Sequence, residues 1–414
     1  MTQETLPPAP EPGREGRALQ GHAPQGRSPE GPASEGRAPQ HHALRHRALQ
    51  PPTPQSPPPD RPSRRTLLAG AAVGLGGVVA TGCTRFAPPA PGTEHPSPRR
   101  QQGIATAQQR SALILALDLA PDLTGRAAAE ALARALTRWT PLLQRPEDPA
   151  LTATLGFGPA LPARLGRTPP DLLRDLPAFP GDNLTHRTAD LVLQFCAPTP
   201  GALTAQATTL LTEAAGTFRT RWRQPAHLPP TPPGQTPRNL LGFKDGTENP
   251  TPEECERWIW TDDATYLVVR RIHLKVKEFT SLPLTTQERA IGRHRDSGAP
   301  LGRRHEHDDV DVFAKTPEGR YTTPLHAHVR AASPRYDGGA RMLRRGYTYD
   351  NGPADRGLLF LAYMRDPALF TRVQERLTSR DDLHPYTEHR ASAVAYVPPA
   401  PAPGEYLGER FLDS

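Results

Sequence analysis

Two stretches of this chain repeat the same order of strand and helix patterns, and that repetition restricts the fold more than any single motif. In the first stretch, Leu113, Leu115 and Leu117 alternate with other residues, as in a half-buried strand. Apolar residues at helical spacing follow, with further strand-like runs and a second helical stretch. The predicted order is strand, helix, strand, strand, helix, strand, at residues 113–119, 125–139, 152–157, 190–196, 202–218 and 219–223.

The second stretch repeats this order. Its strands are predicted at residues 266–276, 342–349, 357–363 and 392–397, with helices at residues 285–292 and from Asp366-Pro367 onward. The repeated βαββαβ order predicts an α+β protein of two ferredoxin-like domains that arose by internal duplication, with their sheets packed face to face. We place the domains at residues 105–240 and 241–414. The second copy carries a long insertion, residues 296–341, of a length that is usually functional.

The residues before these domains have a different composition. Residues 1–62 are rich in Pro and Arg and contain no aromatic residue, which predicts a disordered extension because little apolar surface can be buried. Residues 63–83 combine Arg64-Arg65 with a short apolar run, as in a twin-arginine export signal. Residues 84–104 form a linker in this interpretation. The formal net charge of +7 does not indicate a nucleic-acid partner, since no basic stripe with interleaved aromatics occurs in the domains.

The export segment ends at Cys83, and Ala80 to Cys83 resembles a lipoprotein cleavage box. Two interpretations therefore stay open for the mature protein: release into the periplasm or the extracellular medium, or a lipid anchor on Cys83 at the cell envelope.

A glycine-flanked carboxylate lies between the two repeats, in the segment of residues 242–250. Asp245 is followed by Gly246, whose missing Cβ allows a sharp turn or a close approach to a ligand. Asn249-Pro250 ends the segment because a residue before proline avoids the helical region. An ordinary Asp-Gly turn is the alternative interpretation.

The end of the insertion carries most of the remaining candidate chemistry. His326, His328 and Arg330 are followed shortly by Arg344 and Arg345. Histidine beside arginines, with a distant carboxylate, suits a buried anionic cofactor, because imidazole is the usual proximal ligand of peroxidase haem and arginine pairs with carboxylates. The alternative for each histidine is a surface position. Residues 303–309, which contain a His-x-His pattern, are interpreted as a solvated charged loop rather than a metal site.

Several of these segments together resemble dye-decolourising peroxidases. The segment of residues 242–250 is similar to the family's GxxDG-type signature. The His-Val-Arg, Ser-Pro-Arg, Met-Leu-Arg-Arg-Gly-Tyr and Gly-Leu-Leu-Phe-Leu-Ala-Tyr segments are similar to its second half, in the same order. The resemblance covers the chain from Ala105 to the C-terminus. With the twin-arginine signal, it points to the exported branch, which includes the deferrochelatase/peroxidase of bacterial iron uptake.

The resemblance implies roles for individual residues of the second half. His328 would be the proximal iron ligand, with His326 as its competitor. Asp245 would be the distal acid/base and Arg344 the distal arginine, with Arg345 as its competitor. Other residues would contact the haem, along its edge (Gly246, Thr247 and Glu248) or near its propionates (Ser333, Pro334 and Arg335). Relatives have asparagine in place of Ser333. The carboxylate that the family places behind the proximal histidine is not assigned.

The resemblance also implies the reaction. A non-covalent haem b with one iron per chain is expected in the second half, since no Cys-x-x-Cys-His motif occurs. The protein would use hydrogen peroxide to oxidise dyes, phenolics or other one-electron donors through a ferryl intermediate. Electrons would leave by the haem edge or by surface aromatics, for which Tyr347, Tyr349, Tyr363 and Trp260 are candidates. Release of iron from haem, or haem carriage without turnover, are the alternatives. Envelope iron-uptake partners and a homo-oligomer stay open.

Overall fold

The computed structural model describes residues 99–413. The predicted extension, the export segment with Cys83 and most of the predicted linker lie outside the described residues. The strands in chain order are β1 (Ser111–Leu119), β2 (Thr152–Phe157), β3 (Asp182–His186), β4 (Leu191–Ala197), β5 (Phe218–His227), β6 (Thr265–Leu274), β7 (Leu343–Asp350), β8 (Arg356–Met364) and β9 (Thr387–Val397).

The helices lie between and after these strands. They are α1 (Gly125–Gln144), α2 (Leu161–Arg164), α3 (Pro200–Glu213), α4 (Pro252–Trp258), α5 (Val276–Thr280), α6 (Leu284–Ile291), α7 (His328–Ala331), α8 (Ala368–Arg380) and α9 (Glu409–Asp413). Two short 3-10 helices, Pro334–Asp337 and His384–Tyr386, complete the described elements. No helix within residues 99–413 combines the length and the apolar composition needed to cross a bilayer.

The strands follow the order β2-β4-β1-β5-β7-β8-β6-β9-β3. The first half contributes β2-β4-β1-β5 and the second half contributes β7-β8-β6-β9. When the four strands of each half are counted along the chain, both halves have the order second, third, first, fourth, and neighbouring strands are antiparallel. This is the split βαβ arrangement. The halves meet at two edges, where His227 pairs with Thr348 and Phe157 pairs with Tyr396. The predicted α+β fold of two ferredoxin-like halves is confirmed, and pairing at both edges closes the two sheets into a ring.

The inner faces of the two sheets share one apolar core. It combines side chains of both halves, including Ile114, Val192, Val269 and Leu361. These residues alternate along their strands with residues on the outer faces, because successive strand residues point to opposite sides. The sheets therefore pack face to face as predicted, and the core between them belongs to neither half alone.

The outer faces of the two sheets are covered differently. On the first sheet, α1 and α3 form a continuous layer, and the Trp139 indole donates to the Leu210 carbonyl at 2.8 Å. On the second sheet, α8 covers part of the face with Leu369, Phe370 and Val373. The long helix that corresponds to α1 is absent from this half, where the short α6 and the insertion stand instead. The two halves are therefore not identical. A cavity lies on the part of the second sheet that a counterpart of α1 would cover.

Some sequence expectations differ from the structure. Residues 99–104, assigned to the linker, pack on the fold: Ile104 is buried, and the Gln101 amide donates to the carbonyls of Leu155 and Pro398 at 3.0 and 2.9 Å. The edge strand β3 was not predicted, because its residues are only partly buried and mostly polar. Strand β9 begins at Thr387 rather than at Ser392.

The aromatic residues suggested as surface electron exits are a clear correction. Tyr347, Tyr349, Tyr363 and Trp260 are between 0% and 4% exposed and lie in the core between the sheets. Aromatic residues on these strands bury large apolar area, which explains their position. They do not offer a surface to a donor in solution.

Candidate active site

A cavity of ≈ 400 Å³ lies on the outer face of the second sheet. Its apolar walls come from β6, β8 and α8, and from segments before and within the insertion. These residues include Leu241, Phe243, Ile272, Leu274, Ile291, Val329, Leu358, Phe360, Leu369, Phe370, Val373 and Leu377. A few polar groups converge on this apolar lining, which is typical of a cofactor site. All nine residues assigned to the site by resemblance line this cavity: Asp245, Gly246, Thr247, Glu248, His328, Ser333, Pro334, Arg335 and Arg344.

His328 is the first residue of α7 and lines the cavity. Its Nδ1 lies 2.7 Å from Oδ2 of Asp381, a carboxylate whose side chain is 4% exposed. Because a carboxylate accepts hydrogen bonds, the proton of the neutral ring is held on Nδ1, and the lone pair of Nε2 is left to bind a metal. Asp381 is thus the carboxylate behind the histidine that the sequence did not identify.

The environment of His328 favours positive charge on the ring. Burial opposes protonation, but the negative charge of Asp381 and its hydrogen bond outweigh it, so the pKa of His328 is raised. Asp381 directly follows α8, and its Oδ1 accepts from the Leu383 amide at 2.8 Å, which fixes the carboxylate. The competing residue, His326, is exposed and does not line the cavity.

The Asp245 loop approaches the cavity from the segment between the two halves. Gly242 and Gly246 have φ values of +87° and +97°, which side-chain-bearing residues rarely adopt. The loop is attached to the insertion, since Arg238 donates to the Gly242 carbonyl at 2.9 Å and also to the carbonyl of Asp296 at 2.7 Å. Lys244 forms an ion pair with Glu306 of the insertion. These contacts hold Asp245 at the wall of the cavity.

Arg344 and Arg345 are separated by strand alternation. On β7, Arg344 lines the cavity, whereas Arg345 points to the opposite face and is 3% exposed. The Arg345 guanidinium donates to the carbonyls of Ile104 and Thr106 at 3.0 and 2.6 Å. Of the two arginines, only Arg344 can meet a ligand in this cavity.

Two contacts bring Arg344 and Asp245 together. The side-chain amide of Asn249 donates to the Arg344 carbonyl at 2.8 Å and accepts from the Arg344 amide at 3.0 Å. A Cβ on Gly346 would lie 3.2 Å from Oδ2 of Asp245, so the carboxylate packs over this glycine. Asp245 and Arg344 therefore lie on the same side of the cavity. The sequence pattern indicates only that Asn249, before Pro250, ends the loop.

Cationic side chains surround another part of the cavity. Arg293 and Arg341 both contact Glu248, at 3.1 and 3.4 Å, and were not predicted. Burial lowers the pKa of Arg293, although Glu248 counteracts this effect. Arg335 also lines the cavity, two residues after Ser333, whose hydroxyl accepts from the Arg335 amide at 3.4 Å. An apolar slot with arginines at its rim suits a flat apolar molecule that carries carboxylates.

The predicted histidine-rich loop does not form a metal centre. Among the described residues, no group of three or more His, Cys, Asp or Glu side chains is arranged to hold a metal ion. In this loop, the Asp308 carboxylate accepts from the amides of Arg304 and His305 at 3.1 and 2.9 Å, as in a solvated turn. His328, with its single available nitrogen, therefore suits an iron whose other ligands come from a porphyrin.

Comparison with known sequences agrees with this chemistry. The family model described as Dyp-type peroxidase, N-terminal, matches residues 101–225, and the model described as Dyp-type peroxidase, C-terminal, matches residues 236–402. A dye-decolorizing peroxidase from Thermobifida fusca is 38% identical over 361 residues, 76% of this chain and 84% of the relative. The chain belongs to the DyP-type peroxidase family. It is therefore a haem-dependent peroxidase, which uses hydrogen peroxide and a reducing substrate.

Other relatives of this DyP-type peroxidase extend the comparison. A deferrochelatase from Shigella sonnei is 32% identical over 416 residues, 85% of this chain and 97% of the relative. A DyP-type peroxidase structure from Cellulomonas bogoriensis is 35% identical, has a TM-score of 0.71 and covers 76% of this chain and 97% of that one. One from Streptomyces coelicolor is 31% identical, with the same TM-score. The cofactor of the family, haem b, fits the cavity of apolar walls, arginines and His328.

Proposed function

We propose that His328 would hold the haem iron through Nε2, and that Asp245 and Arg344 would act on peroxide in the same cavity. The observation that carries this proposal is the arrangement of one cavity: His328 backed by Asp381, and Asp245 and Arg344 joined on a common wall. When bound, haem would supply a redox-active iron able to store the two oxidising equivalents of peroxide.

Asp245 is proposed to move the proton that peroxide cleavage requires. Its carboxylate would accept a proton from one oxygen of peroxide and return it to the other, which would leave as water. The glycines on either side of the loop and the packing over Gly346 support this role, because they hold the carboxylate at the cavity.

Arg344 is proposed to stabilise the negative charge that develops as the oxygen–oxygen bond breaks. A guanidinium that is fixed before the reaction stabilises charge without reorganisation during it. Asn249 supports this role by holding the backbone of Arg344 at both its N–H and its C=O. The neighbouring cations, Arg293, Arg335 and Arg341, are proposed to hold the haem propionates, since arginine pairs well with carboxylates.

Dyes, phenolics and other one-electron donors are the proposed reducing substrates. The relative from Thermobifida fusca, named a dye-decolorizing peroxidase, supports this class. The second candidate is release of iron from haem, supported by the 32% identity to a protein named deferrochelatase. Under that alternative, partners in envelope iron uptake are proposed, and a homo-oligomer is compatible with either function.

One experiment separates these functions. The protein is loaded with haem, and its Soret band is followed with peroxide and a phenolic donor. A peroxidase oxidises the donor over many turnovers while the Soret band is kept. A deferrochelatase instead converts haem into metal-free protoporphyrin, with its red fluorescence, and releases one iron per haem. A protein that binds haem but does neither is a carrier, and the proposed function is then rejected.

We further propose that the protein is exported by the twin-arginine route and works outside the cytoplasmic membrane. The support is the sequence pattern of Arg64-Arg65 followed by a short apolar run. Replacing both arginines by lysine should leave unprocessed protein in the cytoplasm, and unaltered export would reject the proposal. Mass spectrometry of the mature N-terminus tests lipidation, since an unmodified start beyond Cys83 excludes it.

A further inference from the structure

Met342 places a thioether in the wall of the haem cavity, and none of the proposed steps uses it. The chain has three methionines, Met1, Met342 and Met364, of which the structure describes the last two. Met342 is partly exposed and lines the cavity. Met364, the last residue of β8, is 0% exposed and packs in the apolar cluster that α8 covers. A small molecule that enters the cavity can therefore reach the sulfur of Met342 but not that of Met364.

Met342 lies on the same side of β7 as the residues assigned to peroxide. It directly precedes this strand, and Arg344 follows two residues later, a spacing of about 6.5 Å in extended chain. Leu343, between them, packs toward the core shared by the two halves, while Met342 and Arg344 both line the cavity. The Asp245 carboxylate packs over Gly346, the next residue on this side. The thioether is therefore a neighbour of both groups that are proposed to act on peroxide.

We propose that Met342 is the site at which excess peroxide modifies this protein, by conversion of its thioether to the sulfoxide. A thioether is a soft, polarisable group, and its oxidation to the sulfoxide is a common oxidative change in proteins. Hydrogen peroxide has to enter this cavity as the substrate of the peroxidase. When no reducing substrate consumes the oxidising equivalents, peroxide meets the sulfur of Met342 on the cavity wall.

The atoms and electrons of this step balance without any further reactant. A lone pair on Sδ of Met342 attacks one oxygen of hydrogen peroxide, and the oxygen–oxygen bond breaks. The attacked oxygen stays on sulfur, and the other takes both hydrogen atoms of the peroxide and leaves as water. Sulfur loses two electrons, and peroxide is reduced by the same two. The Arg344 guanidinium can stabilise the negative charge that develops on the departing oxygen.

The sulfoxide changes an apolar part of the cavity wall into a hydrogen-bond acceptor beside arginines. Arg341 already pairs with the carboxylates of Glu248 and Glu254, whereas the Arg344 guanidinium forms no ion pair with a described residue. Because hydrogen bonds from charged donors are strong, the sulfoxide oxygen would hold Arg344 away from peroxide. The modification then slows the peroxide reaction. This consequence, unlike the modification itself, rests on the function proposed for Arg344.

The modification is tested by mass spectrometry. Haem-loaded protein is treated with excess peroxide without a reducing substrate, the peroxide is removed with catalase, and the digested peptides are mapped. Met342 should gain one oxygen atom, whereas Met364 should stay unmodified and serves as the control within the same chain. Equal oxidation of the two methionines, or no added oxygen at Met342, would overturn the proposal.

The consequence is tested by the rate of the peroxide reaction after this treatment, with each protein compared with its own untreated form. The wild type and Met364→Leu should both slow about tenfold or more, because loss of one electrostatic stabiliser costs about 100- to 1000-fold. Met342→Leu, which conserves volume without sulfur, should slow less than about twofold. Equal slowing of Met342→Leu and the wild type would reject the role of this sulfur.

A permanent polar group gives a second test, without any treatment. Met342→Gln places a carbonyl oxygen near the position of the sulfoxide oxygen and should react with peroxide about tenfold more slowly than Met342→Leu. Equal rates in these two variants would reject the effect on Arg344. A wild-type protein with no peroxidase turnover before treatment would instead reject the proposed function, and the mass measurement would still decide the modification.

Discussion

The side-chain amide of Asn249 pairs with both backbone groups of Arg344, at 2.8 and 3.0 Å, as a neighbouring strand would. Arg344 is close to the start of β7, where the backbone has a strand partner on the side of β8. On the side away from β8, the Asn249 side chain pairs with the backbone N–H and C=O of Arg344. The loop that carries Asp245 is therefore attached to the strand that carries Arg344, and the two candidate catalytic side chains share one support.

We expect Asn249→Ala to slow the peroxide-driven change of the haem spectrum about tenfold, with haem still bound. Two hydrogen bonds worth about 0.5 to 1.5 kcal/mol each are lost, and about 1.4 kcal/mol of this loss at the transition state corresponds to a tenfold change in rate. Stopped-flow mixing with peroxide measures the rate. Asn183→Ala is the control, because Asn183 makes an exposed side-chain contact with Glu388 away from the cavity. Equal rates in Asn249→Ala and the wild type would show that the bridge does not position the site.

Asp245→Asn and Arg344→Leu should both keep the Soret band, since neither residue binds iron in the proposal. Removing the acid/base group should slow the peroxide reaction about 100- to 10,000-fold. Removing the guanidinium should slow it about 100- to 1000-fold. The rates come from the same stopped-flow measurement, with Arg345→Lys as a control on the opposite face of β7. Wild-type rates in haem-loaded forms of both variants would rule out the assigned roles.

His328→Ala should remove or strongly weaken haem binding, because the single protein nitrogen for the iron is lost. Titration of cofactor-free protein with haem, followed at the Soret band, measures the change. His326→Ala should bind haem like the wild type, since His326 is exposed and outside the cavity. The opposite result for the two variants would exchange their assignments.

Asp381→Asn should raise the reduction potential of the bound haem and weaken haem binding about 10- to 100-fold, the usual effect of losing a partner of a metal ligand. Asparagine can still accept from His328, but it removes the negative charge that makes the ring a stronger donor to ferric iron. Spectroelectrochemistry and haem titration measure the two effects. Asp382→Asn, at the neighbouring position, is the control. An unchanged reduction potential in Asp381→Asn would mean that the negative charge of Asp381 does not influence the haem iron.

Gly346→Ala should slow the peroxide reaction about tenfold while haem binding is kept. The new methyl group would lie 3.2 Å from both Oδ2 of Asp245 and Cδ1 of Leu358, so the carboxylate has to move by a few tenths of an ångström. Small displacements of catalytic groups are costly. Gly201→Ala is the control, because nothing lies within 4 Å of its added Cβ. Equal kinetics in the two variants would show that Asp245 tolerates the shift.

The sequence predicts the repeated fold well because the apolar period is strong in most strands and helices. Strand β3 is not predicted, because its alternate residues are exposed and none of its residues is fully buried. This strand is held by its pairing with β9, which lies far away in the sequence. The choice between Arg344 and Arg345 also required the structure. Both residues are charged, so their types do not show which side of β7 faces the core.

Asp381 could not be predicted as the partner of His328 for a different reason. It lies 53 residues further along the chain, and the contact exists only because α8 ends beside α7. Tyr347 shows the converse problem, since a tyrosine in a strand can face either solvent or core. Its hydroxyl lies 3.5 Å from the thiol of Cys196, a residue of the other half. Both contacts depend on how separate elements pack, which local patterns do not encode.

Among the described residues, every residue that lines the haem cavity is at or after Asn239, beyond the end of β5, so no strand or helix of the first half contributes a side chain to it. The first half still covers the inner face of the second sheet and pairs with it at both edges. A fragment with only the second half would expose that face and two strand edges, and it should aggregate. Because the two halves have separate roles, the first half can be changed without altering the cavity. Stabilising substitutions placed on the outer layer of α1 and α3 can raise the melting temperature without touching the chemistry.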